Sequence, residues 1–253
     1  MKIEAGRYRV WVFENAEKMA DFAAGKWGEL SSQAVEEKGV FAAALSGGTT
    51  PVGFYERLSR LEGLPWDKTH IFLADERFVP YDSPDSNFGM IKATLLDHVS
   101  IPENNLHPVR TDLPDPQAAA RDYEGRIKEF FHLPEGVVFP SFDLITLGIG
   151  EDGHTASIFP GSVLLKHSRH IAASAARGEH AFSHDRVTLT VQTINKAKNV
   201  IFLVSGDKKA SVLRDVVEKQ CETLPASLVK PGGNLYYLAD SAAGSGILGE
   251  KTE

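Results

Sequence analysis

The 253-residue sequence has little of what builds disulfides and metal–thiolate sites, since Cys221 is its one cysteine. No disulfide can form within the chain, and a zinc site built on several cysteines is excluded. The nine histidines include no H-x-H or H-E-x-x-H pair, so we expect no metal site. Cys221 follows VVEKQ without an obvious general base beside it in sequence. We therefore expect a structural thiol in a reducing compartment.

The sequence also lacks an excess of positive charge and any long apolar run. Its 27 Lys and Arg against 34 Asp and Glu give a formal net charge of -7, which argues against a nucleic-acid partner because nucleic-acid-binding surfaces are basic. No stretch approaches the ~20 apolar residues that span a bilayer, and MKIEAGRYRVWVFEN does not resemble a signal peptide. We expect a cytoplasmic protein without nucleic-acid or membrane partners, and either a monomer or a homodimer.

Short apolar runs alternate with helical patterns along the chain, and 42% hydrophobic content allows a large core. The predicted strands are YRVWVF, VFAAAL, HIFLAD, FDLITLG, HIAASA, RVTLTV, NVIFLVSG and LYYLAD. The predicted helices run from about Asn15 to Glu37, from Pro51, over Phe88–His98, within QAAARDYEGRIKEFF and within KKASVLRDVVEK. This alternation predicts a single α/β domain over residues 1–253, with a mostly parallel Rossmann-like sheet and helices on both faces, a three-layer αβα arrangement. A polar tail begins at about residue 241, and its end, GSGILGEKTE, is predicted to be frayed.

Four unusual loops follow predicted strands. They are SGGTTP (46–51), DERFVP (75–80), GEDGHTAS (150–157) and SGDKK (205–209). The carboxyl ends of parallel strands meet at one edge of a sheet, which is where ligands bind in such folds. The sequence therefore predicts a ligand site built from these loops.

The loop SGGTTP has the features of an anion site. Its glycines allow backbone N–H groups to approach a ligand, its hydroxyls can donate, and a helix predicted from Pro51 adds its positive end. The candidate phosphate-binding residues are Ser46, Gly47, Gly48, Thr49 and Thr50. The loop is not a P-loop because the GK[ST] ending is absent. A tight turn with a helix cap is the alternative interpretation, and phosphate binding is slightly favoured over it.

Three further stretches supply charged candidates. Arg77 can steady a developing oxyanion or a ligand oxygen, with Asp75 holding it, although a surface salt bridge is the simpler interpretation. Arg186 opens the run RVTLT. Lys208 and Lys209 begin a predicted helix, where cations oppose the helix dipole. That conflict favours an anionic ligand over the alternative of a solvated lysine pair.

The stretch GIGEDG (148–153) matches the G-x-G-x-x-G pattern of dinucleotide-binding folds, but its context does not. Pro160 and Gly161 would end a helix early, and no acid stands ~20 positions further on to bind a ribose. His154 is the better candidate, because a neutral imidazole accepts a proton from water at neutral pH. Asp152 can orient it, and loop N–H groups can face an oxyanion. The alternative is a histidine that only caps the next short helix.

Taken in order, these motifs resemble those of the 6-phosphogluconolactonases, within the wider glucosamine-6-phosphate isomerase/6-phosphogluconolactonase superfamily. The resemblance runs from about Val10 to Asp240. It rests on SGGTTP, DERFVP followed by Ser86-Asn87, GIGEDGHTASIFPG, RVTLT and GDKKA. It implies a Rossmann-like α/β fold without a bound cofactor. It also implies a small phosphosugar lactone as substrate, 6-phospho-D-glucono-1,5-lactone, which is hydrolysed to 6-phosphogluconate in the pentose phosphate pathway.

The resemblance also implies residue roles. His154 would be the general base that activates water, and Arg77 would bind the lactone or stabilise charge on its carbonyl oxygen. The phosphate would be held by the SGGTT loop together with Arg186 and Lys209. Lys209 is preferred to Lys208 because the family pattern G-x-x-K-A fits residues 206–210. Asp75 joins the substrate-binding set.

The superfamily's amino-sugar phosphate deaminases are the main alternative. They look like DGHIAFNEPG where this chain has DGHTASIFPG, so Phe159 replaces their acid, whereas the counterpart of their aspartate, Asp75, is retained. An isomerising enzyme needs both carboxylates, and the replacement therefore favours simple hydrolysis. A non-catalytic sugar-phosphate-binding module is the next hypothesis, and a nicotinamide oxidoreductase ranks last.

Overall fold

A computed structural model describes residues 2–5, 8–134, 138–166, 169–176 and 183–248. Its strands are β1 (Lys2–Ala5), β2 (Tyr8–Phe13), β3 (Phe41–Leu45), β4 (Thr69–Leu73), β5 (Asp75–Arg77), β6 (Leu106–His107), β7 (Leu144–Leu147), β8 (Ala172–Ala175), β9 (Arg186–Leu189), β10 (Asn199–Val204) and β11 (Asn234–Asp240). Its α-helices are α1 (Ala16–Lys38), α2 (Val52–Leu58), α3 (Asn87–Thr94), α4 (Pro116–Phe130), α5 (Val191–Ile194), α6 (Ala210–Val217) and α7 (Ser241–Leu248). Short 3₁₀ segments include Val163–Leu165 and Asp207–Lys209.

The larger sheet has the strand order β1-β2-β11-β10-β7-β3-β4-β6. Neighbouring strands from β2 to β6 are parallel, whereas β1 pairs antiparallel with β2. From β3 the chain winds outward through β4 and β6, then returns beside β3 and winds the other way through β7, β10 and β11. This is the doubly wound order, with its switch point between β3 and β7. The predicted mostly parallel, Rossmann-like sheet is confirmed.

Helices cover both faces of this sheet. Adjacent residues of a strand point to opposite faces. Trp11 of β2 packs on Phe22 of α1 with ring centroids 4.9 Å apart. Val12 lies against α7, where a Cβ added to Gly244 would stand 2.6 Å from a Val12 methyl carbon. Helices α1 and α7 therefore lie on opposite faces, and the predicted three-layer arrangement is confirmed.

Local sequence explains the central elements. Every residue of β3, FAAAL, is buried, as expected for a parallel strand covered on both faces. Helix α1 begins where the Asn15 side chain accepts a hydrogen bond from Lys18 N at 2.9 Å, and it ends at Gly39, whose φ of 78° is left-handed. Trp27 of this helix is fully buried, edge-on to Phe41 at 5.0 Å.

The segment after β4 differs from the prediction. The sequence predicts one strand, HIFLAD, followed by a loop from Glu76, but β4 ends at Leu73 and Asp75–Arg77 forms a separate strand, β5, in a second sheet ordered β5-β9-β8. The predicted strands HIAASA and RVTLTV therefore belong to this small antiparallel sheet. Ala74 joins the two sheets, because its N–H donates to Leu45 O and its carbonyl accepts from Leu189 N, each at 2.8 Å.

The tail also differs from the prediction. Residues 241–248 form α7, although fraying is predicted from Gly244 onward, and Asp240 holds the first turn of α7 by accepting a hydrogen bond from Ala243 N at 2.8 Å. Residues 249–253, the rest of the predicted tail, lie outside the described residues. Of the helices that the structure describes, none combines the length and apolar character needed to cross a membrane.

A histidine pair lies at the β4–β6 edge. His70 Nδ1 is 3.0 Å from His107 Nε2, and the His107 ring stacks on Phe72 with centroids 4.1 Å apart. Burial lowers the pKa of His70, and burial together with the neighbouring His70 lowers the pKa of His107 to about 4. Because the pKa of His107 in the folded protein lies below the ordinary 6.5, folding favours its neutral form. The contribution of neutral His107 to the free energy of unfolding is therefore complete above pH 6.5 and is lost as the pH falls towards 4.

We therefore expect the melting temperature to fall less between pH 6.5 and pH 4 in His107→Gln than in the unaltered protein. The fall in melting temperature over this pH range should be smaller by at least about 3 °C, which is roughly the shift that 1 kcal/mol produces in a domain of this size. Scanning calorimetry across this range measures it. His98→Gln is the control, because His98 is exposed and its ring contacts a backbone carbonyl. An equal fall in melting temperature in the unaltered protein and in both variants would contradict the prediction.

Candidate active site

The segments that follow β3, β4, β7 and β10 line one cleft of about 230 Å³ at the carboxyl edge of the large sheet. The predicted site residues that line it are Ser46, Gly47, Gly48, Thr49, Thr50, Asp75, Arg77, His154, Arg186 and Lys209. Asp152 is not among the lining residues and contacts His154 instead. The segments that follow four strands of the large sheet thus meet at one place, beside its switch point. Within the described ranges, no three His, Cys, Asp or Glu side chains are grouped as ligands for a metal ion.

The loop after β3 is anchored at its base. Ser46 N donates to Thr146 Oγ1 at 3.2 Å, and the buried Tyr55 hydroxyl donates to Ser46 O at 2.6 Å. Gly48 adopts a left-handed φ of 93°, which glycine reaches without strain. Helix α2 starts at Val52, with Pro51 as its N-cap rather than inside its first turn. The loop is therefore firmly attached to the sheet, and its tip faces the cleft.

Asn87, the first residue of α3, links this loop to β5. Its Nδ2 donates to Asp75 O at 2.9 Å, which orients the amide. A Cβ at Gly47 would stand 1.7 Å from Asn87 Oδ1. Gly47 is therefore needed for the close approach of the Asn87 side chain, which also lines the cleft.

Glu76 has a structural role that sequence reasoning missed. Its side chain is fully buried, and its carboxylate accepts hydrogen bonds from Arg77 N, Asn87 N and Phe88 N at 2.7–2.8 Å and from Ser86 Oγ at 3.1 Å. Burial raises the pKa of Glu76, against the lowering effect of these N–H donors. Glu76 thus ties the amino end of α3 to β5 and places Asn87 beside the cleft.

Two arginines lie side by side in the small sheet. Arg77 and Arg186 are paired residues of the antiparallel strands β5 and β9, and both line the cleft. Burial lowers the pKa of Arg186, Asp75 raises it, and the like charge of Arg77 lowers it. Directly opposed like charges are unfavourable in a sheet, and an anion bound between them would relieve the repulsion.

The two neighbouring lysines, Lys208 and Lys209, differ in exposure and in their position relative to the cleft. Lys209 is half-buried and lines the cleft, whereas Lys208 is exposed and is not among the lining residues. The loop that carries them is held by Asp240, whose carboxylate accepts from Ser205 Oγ at 2.5 Å and from Gly206 N at 3.1 Å. Sequence reasoning missed Asp240, although its place at the carboxyl end of a predicted strand was a signal.

His154 and Asp152 form a closely bonded pair. Asp152 Oδ1 lies 2.6 Å from His154 Nδ1 and also accepts from His154 N at 3.1 Å. Partial burial would raise the pKa of Asp152, but hydrogen bonds from His154 and its charge lower it below the ordinary value. A carboxylate at this nitrogen favours the tautomer protonated on Nδ1, which leaves Nε2 as a proton acceptor.

The glycines before His154 serve this pair. A Cβ at Gly150 would stand 2.0 Å from His154 Nδ1 and 2.5 Å from Asp152 Oδ1, so the imidazole packs directly on the backbone. Gly153 has a left-handed φ of 82°. No α-helix starts within the motif, and the next helical segment is the 3₁₀ turn Val163–Leu165. The geometry is that of a tight loop presenting a histidine, not of a dinucleotide-binding turn.

Phe159 packs beside both the histidine and one of the arginines. Its ring is 4.4 Å from the His154 ring, and the Arg186 guanidinium carbon is 5.8 Å from the Phe159 centroid. Only 4% of Phe159 is exposed. The position at which the deaminases are expected to carry an acid is therefore filled by an apolar ring in contact with His154.

Comparisons with known proteins agree with this geometry. A family model described as glucosamine-6-phosphate isomerases/6-phosphogluconolactonase matches residues 14–237. A 6-phosphogluconolactonase of Synechocystis sp. is 42% identical over 219 residues, covering 85% of this chain and 88% of that protein. A second, of Nostoc sp., is 40% identical over 215 residues, covering 84% and 87%.

The fold agrees as well. A crystal structure of 6-phosphogluconolactonase from Thermotoga maritima has a TM-score of 0.79 and 32% identity to this chain, covering 91% of it and 98% of that structure. The family resemblance predicted from the motifs is thus confirmed over most of the sequence. The chain belongs to the glucosamine-6-phosphate isomerase/6-phosphogluconolactonase family.

Proposed function

We propose that this chain is a 6-phosphogluconolactonase, which hydrolyses 6-phospho-D-glucono-1,5-lactone to 6-phosphogluconate. The observation that carries the proposal is the pairing of His154 with Asp152 beside a cleft that is also lined by the cationic side chains of Arg77, Arg186 and Lys209. A proton acceptor and a separate set of cations suit a substrate with an electrophilic carbonyl and a remote phosphate. The cyanobacterial relatives of that name support the same substrate.

In the proposed reaction, His154 Nε2 takes a proton from a water molecule whose oxygen attacks C1 of the lactone. Charge then develops on the carbonyl oxygen, where Arg77 and loop N–H groups stabilise it, each donor contributing about 3 kcal/mol if preorganised. The bond between C1 and the ring oxygen breaks, and His154 returns the proton to that oxygen. Asp152 holds the ring and stabilises the imidazolium in between. A lactone carbonyl is already electrophilic, so these steps need no metal or cofactor.

The phosphate would lie between the loop 46–50, Arg186 and Lys209. Interactions with a part of the substrate that does not react supply binding energy for positioning the part that does. The chain contributes hydroxyls and glycines from the loop 46–50, one cation from strand β9 and one from the segment after β10, all of which line the same cleft. The proposed substrate thus spans the cleft from this phosphate site to His154.

Phe159 argues against the deaminase alternative. Moving a proton between two carbons of an amino sugar needs a second acid–base group near the histidine, and the ring of Phe159 occupies that position at 4.4 Å. We therefore expect no ammonia release from glucosamine 6-phosphate. Ammonia release would instead favour the deaminase.

The direct test is acid release from freshly prepared 6-phosphogluconolactone, followed in a pH-stat against the spontaneous rate. The proposal predicts release well above that rate from the purified protein. Binding of 6-phosphogluconate without any turnover would refute it and leave a sugar-phosphate-binding module.

The neighbouring lysines give a matched pair of variants. Lys209→Ala should raise KM for the lactone about tenfold or more, because it removes a charged partner of the phosphate, worth about 1.5–3 kcal/mol. Lys208→Ala should leave KM nearly unchanged, because Lys208 is exposed and does not line the cleft. Initial rates over a range of lactone concentrations measure both. Equal effects of the two variants would remove Lys209 from the phosphate site.

A further inference from the structure

Asp75 lines the cleft, yet its carboxylate is occupied by protein groups. Oδ2 accepts a hydrogen bond from Ser157 Oγ at 2.6 Å and lies 3.8 Å from Arg186 Nη1, and Oδ1 lies 3.4 Å from Asn87 Nδ2. Asp75 is 6% exposed and Ser157 is completely buried. A carboxylate also carries the same charge as a phosphate, so direct contact between them is unfavourable.

We infer that Ser157 and Asp75 are positioning residues that act on the substrate through Arg186. The Ser157 hydroxyl fixes Oδ2 of Asp75, and Asp75 in turn sets the direction of the Arg186 guanidinium. This inference rests on the proposed function, because it gives Arg186 the phosphate as its ligand.

Ser157 is itself held from two sides. Its backbone N donates to Thr188 Oγ1 at 3.2 Å, and Thr188 is the residue paired with Asp75 in the small sheet. The preceding residue, Ala156, has a left-handed φ of 47°. Such a conformation is unfavourable for a residue with a Cβ and persists where the surroundings determine it. The strained turn is what directs the Ser157 hydroxyl at Asp75.

The arrangement joins the two ends of the proposed reaction. Ser157 belongs to the loop that carries His154, and Arg186 belongs to β9. The reacting carbon and the phosphate of a sugar phosphate are separated by a fixed number of bonds, so the base and the phosphate-binding cation must keep a fixed spacing. Small errors in such positioning are costly to catalysis. Without its partner Ser157, Asp75 is free to pair more closely with Arg186 and to draw the guanidinium away from the phosphate.

A double-mutant cycle tests this inference. Ser157→Ala should raise KM for the lactone about tenfold, the loss of one hydrogen bond to a charged group, and leave kcat within about threefold. In an Arg186→Ala background the same change should alter KM by less than about twofold, since residues that act through one another are not additive. Ser162→Ala is the matched control. It removes another buried hydroxyl of the same segment, whose oxygen accepts from Leu164 N, and should leave KM unchanged.

A merely structural role gives a different result. Additive effects of Ser157→Ala and Arg186→Ala on KM, or a fall in kcat with KM unchanged, would overturn the inference. Should Ser157→Ala fail to fold, Asp75→Asn takes its place in the cycle. The inference would then be overturned if the effect of Asp75→Asn on KM differed by less than about twofold between the unaltered and the Arg186→Ala backgrounds. Calorimetric titration with 6-phosphogluconate gives the same cycle without turnover. Failure of the unaltered protein to hydrolyse the lactone would therefore count against the proposed function and not against this coupling.

Discussion

Replacing His154 by alanine is expected to lower kcat for lactone hydrolysis by about 10²–10⁴-fold, the usual contribution of a positioned general base. The melting temperature should change little. The His154 side chain is 33% exposed, and it contacts Asp152, the ring of Phe159 and the backbone at Gly150. The substitution therefore removes the proton acceptor without opening a large cavity in the core.

The measurement is kcat and KM from initial rates, with the spontaneous hydrolysis subtracted. Added imidazole should restore part of the activity of His154→Ala, because the vacated position opens to the cleft. His98→Ala provides the comparison, since His98 is exposed and is not among the lining residues. Full activity of His154→Ala would show that another group activates the water, and the proposed mechanism would then be wrong.

Most of the site residues that sequence analysis identified belong to a short motif directly after a predicted strand, whereas Arg186 begins the predicted strand RVTLTV. The doubly wound order then brings such loops to a common edge, and so Thr49, Arg77, His154 and Lys209 line one cleft. Recognition of the motifs depends on local patterning, and their placement at one edge depends on a general rule for parallel sheets. They do not require knowledge of any particular side-chain contact.

The contacts of the supporting residues could not be predicted in this way. Asp75 stands out in the motif DERFVP, but Ser157 is 82 positions away from it in sequence, and no local signature indicates that the Ser157 hydroxyl is buried against this carboxylate. Glu76 is a charged residue in a polar stretch, where exposure is the normal expectation. Its burial depends on donors from Ser86, Asn87 and Phe88, which reach it only once α3 has docked.

The secondary structure of the C-terminal segment could not be predicted from local sequence either. Gly244 and Gly246 make the local helix propensity of residues 241–248 low, and the sequence predicts fraying from Gly244 onward. In the fold these glycines allow close packing. A Cβ at Gly244 would stand 2.6 Å from Val12, and one at Gly246 would stand 2.7 Å from Ala210 O. Tertiary packing on β2 and α6 thus outweighs the propensity.

The glycines that first suggested a dinucleotide site give the second large effect. Gly150→Ala is expected to lower kcat about 10²-fold, because the new Cβ would lie 2.0 Å from His154 Nδ1 and 2.5 Å from Asp152 Oδ1. Neither atom can remain in place, and a displacement of about 1 Å at a reacting group can cost that much.

Gly148→Ala is the comparison within the same motif, since Gly148 also lines the cleft but a Cβ there meets no protein atom within 4 Å and leaves His154 and Asp152 in place. It should keep kcat nearly unchanged, with any effect confined to KM, and both variants should keep their melting temperatures within a few degrees. A dinucleotide-binding turn makes the opposite prediction. Its first glycine forms the tight turn and its second admits the pyrophosphate, so both substitutions would be harmful and NADP(H) affinity would fall. Equal losses of activity in the two variants would contradict the interpretation that Gly150 is needed for the packing of His154.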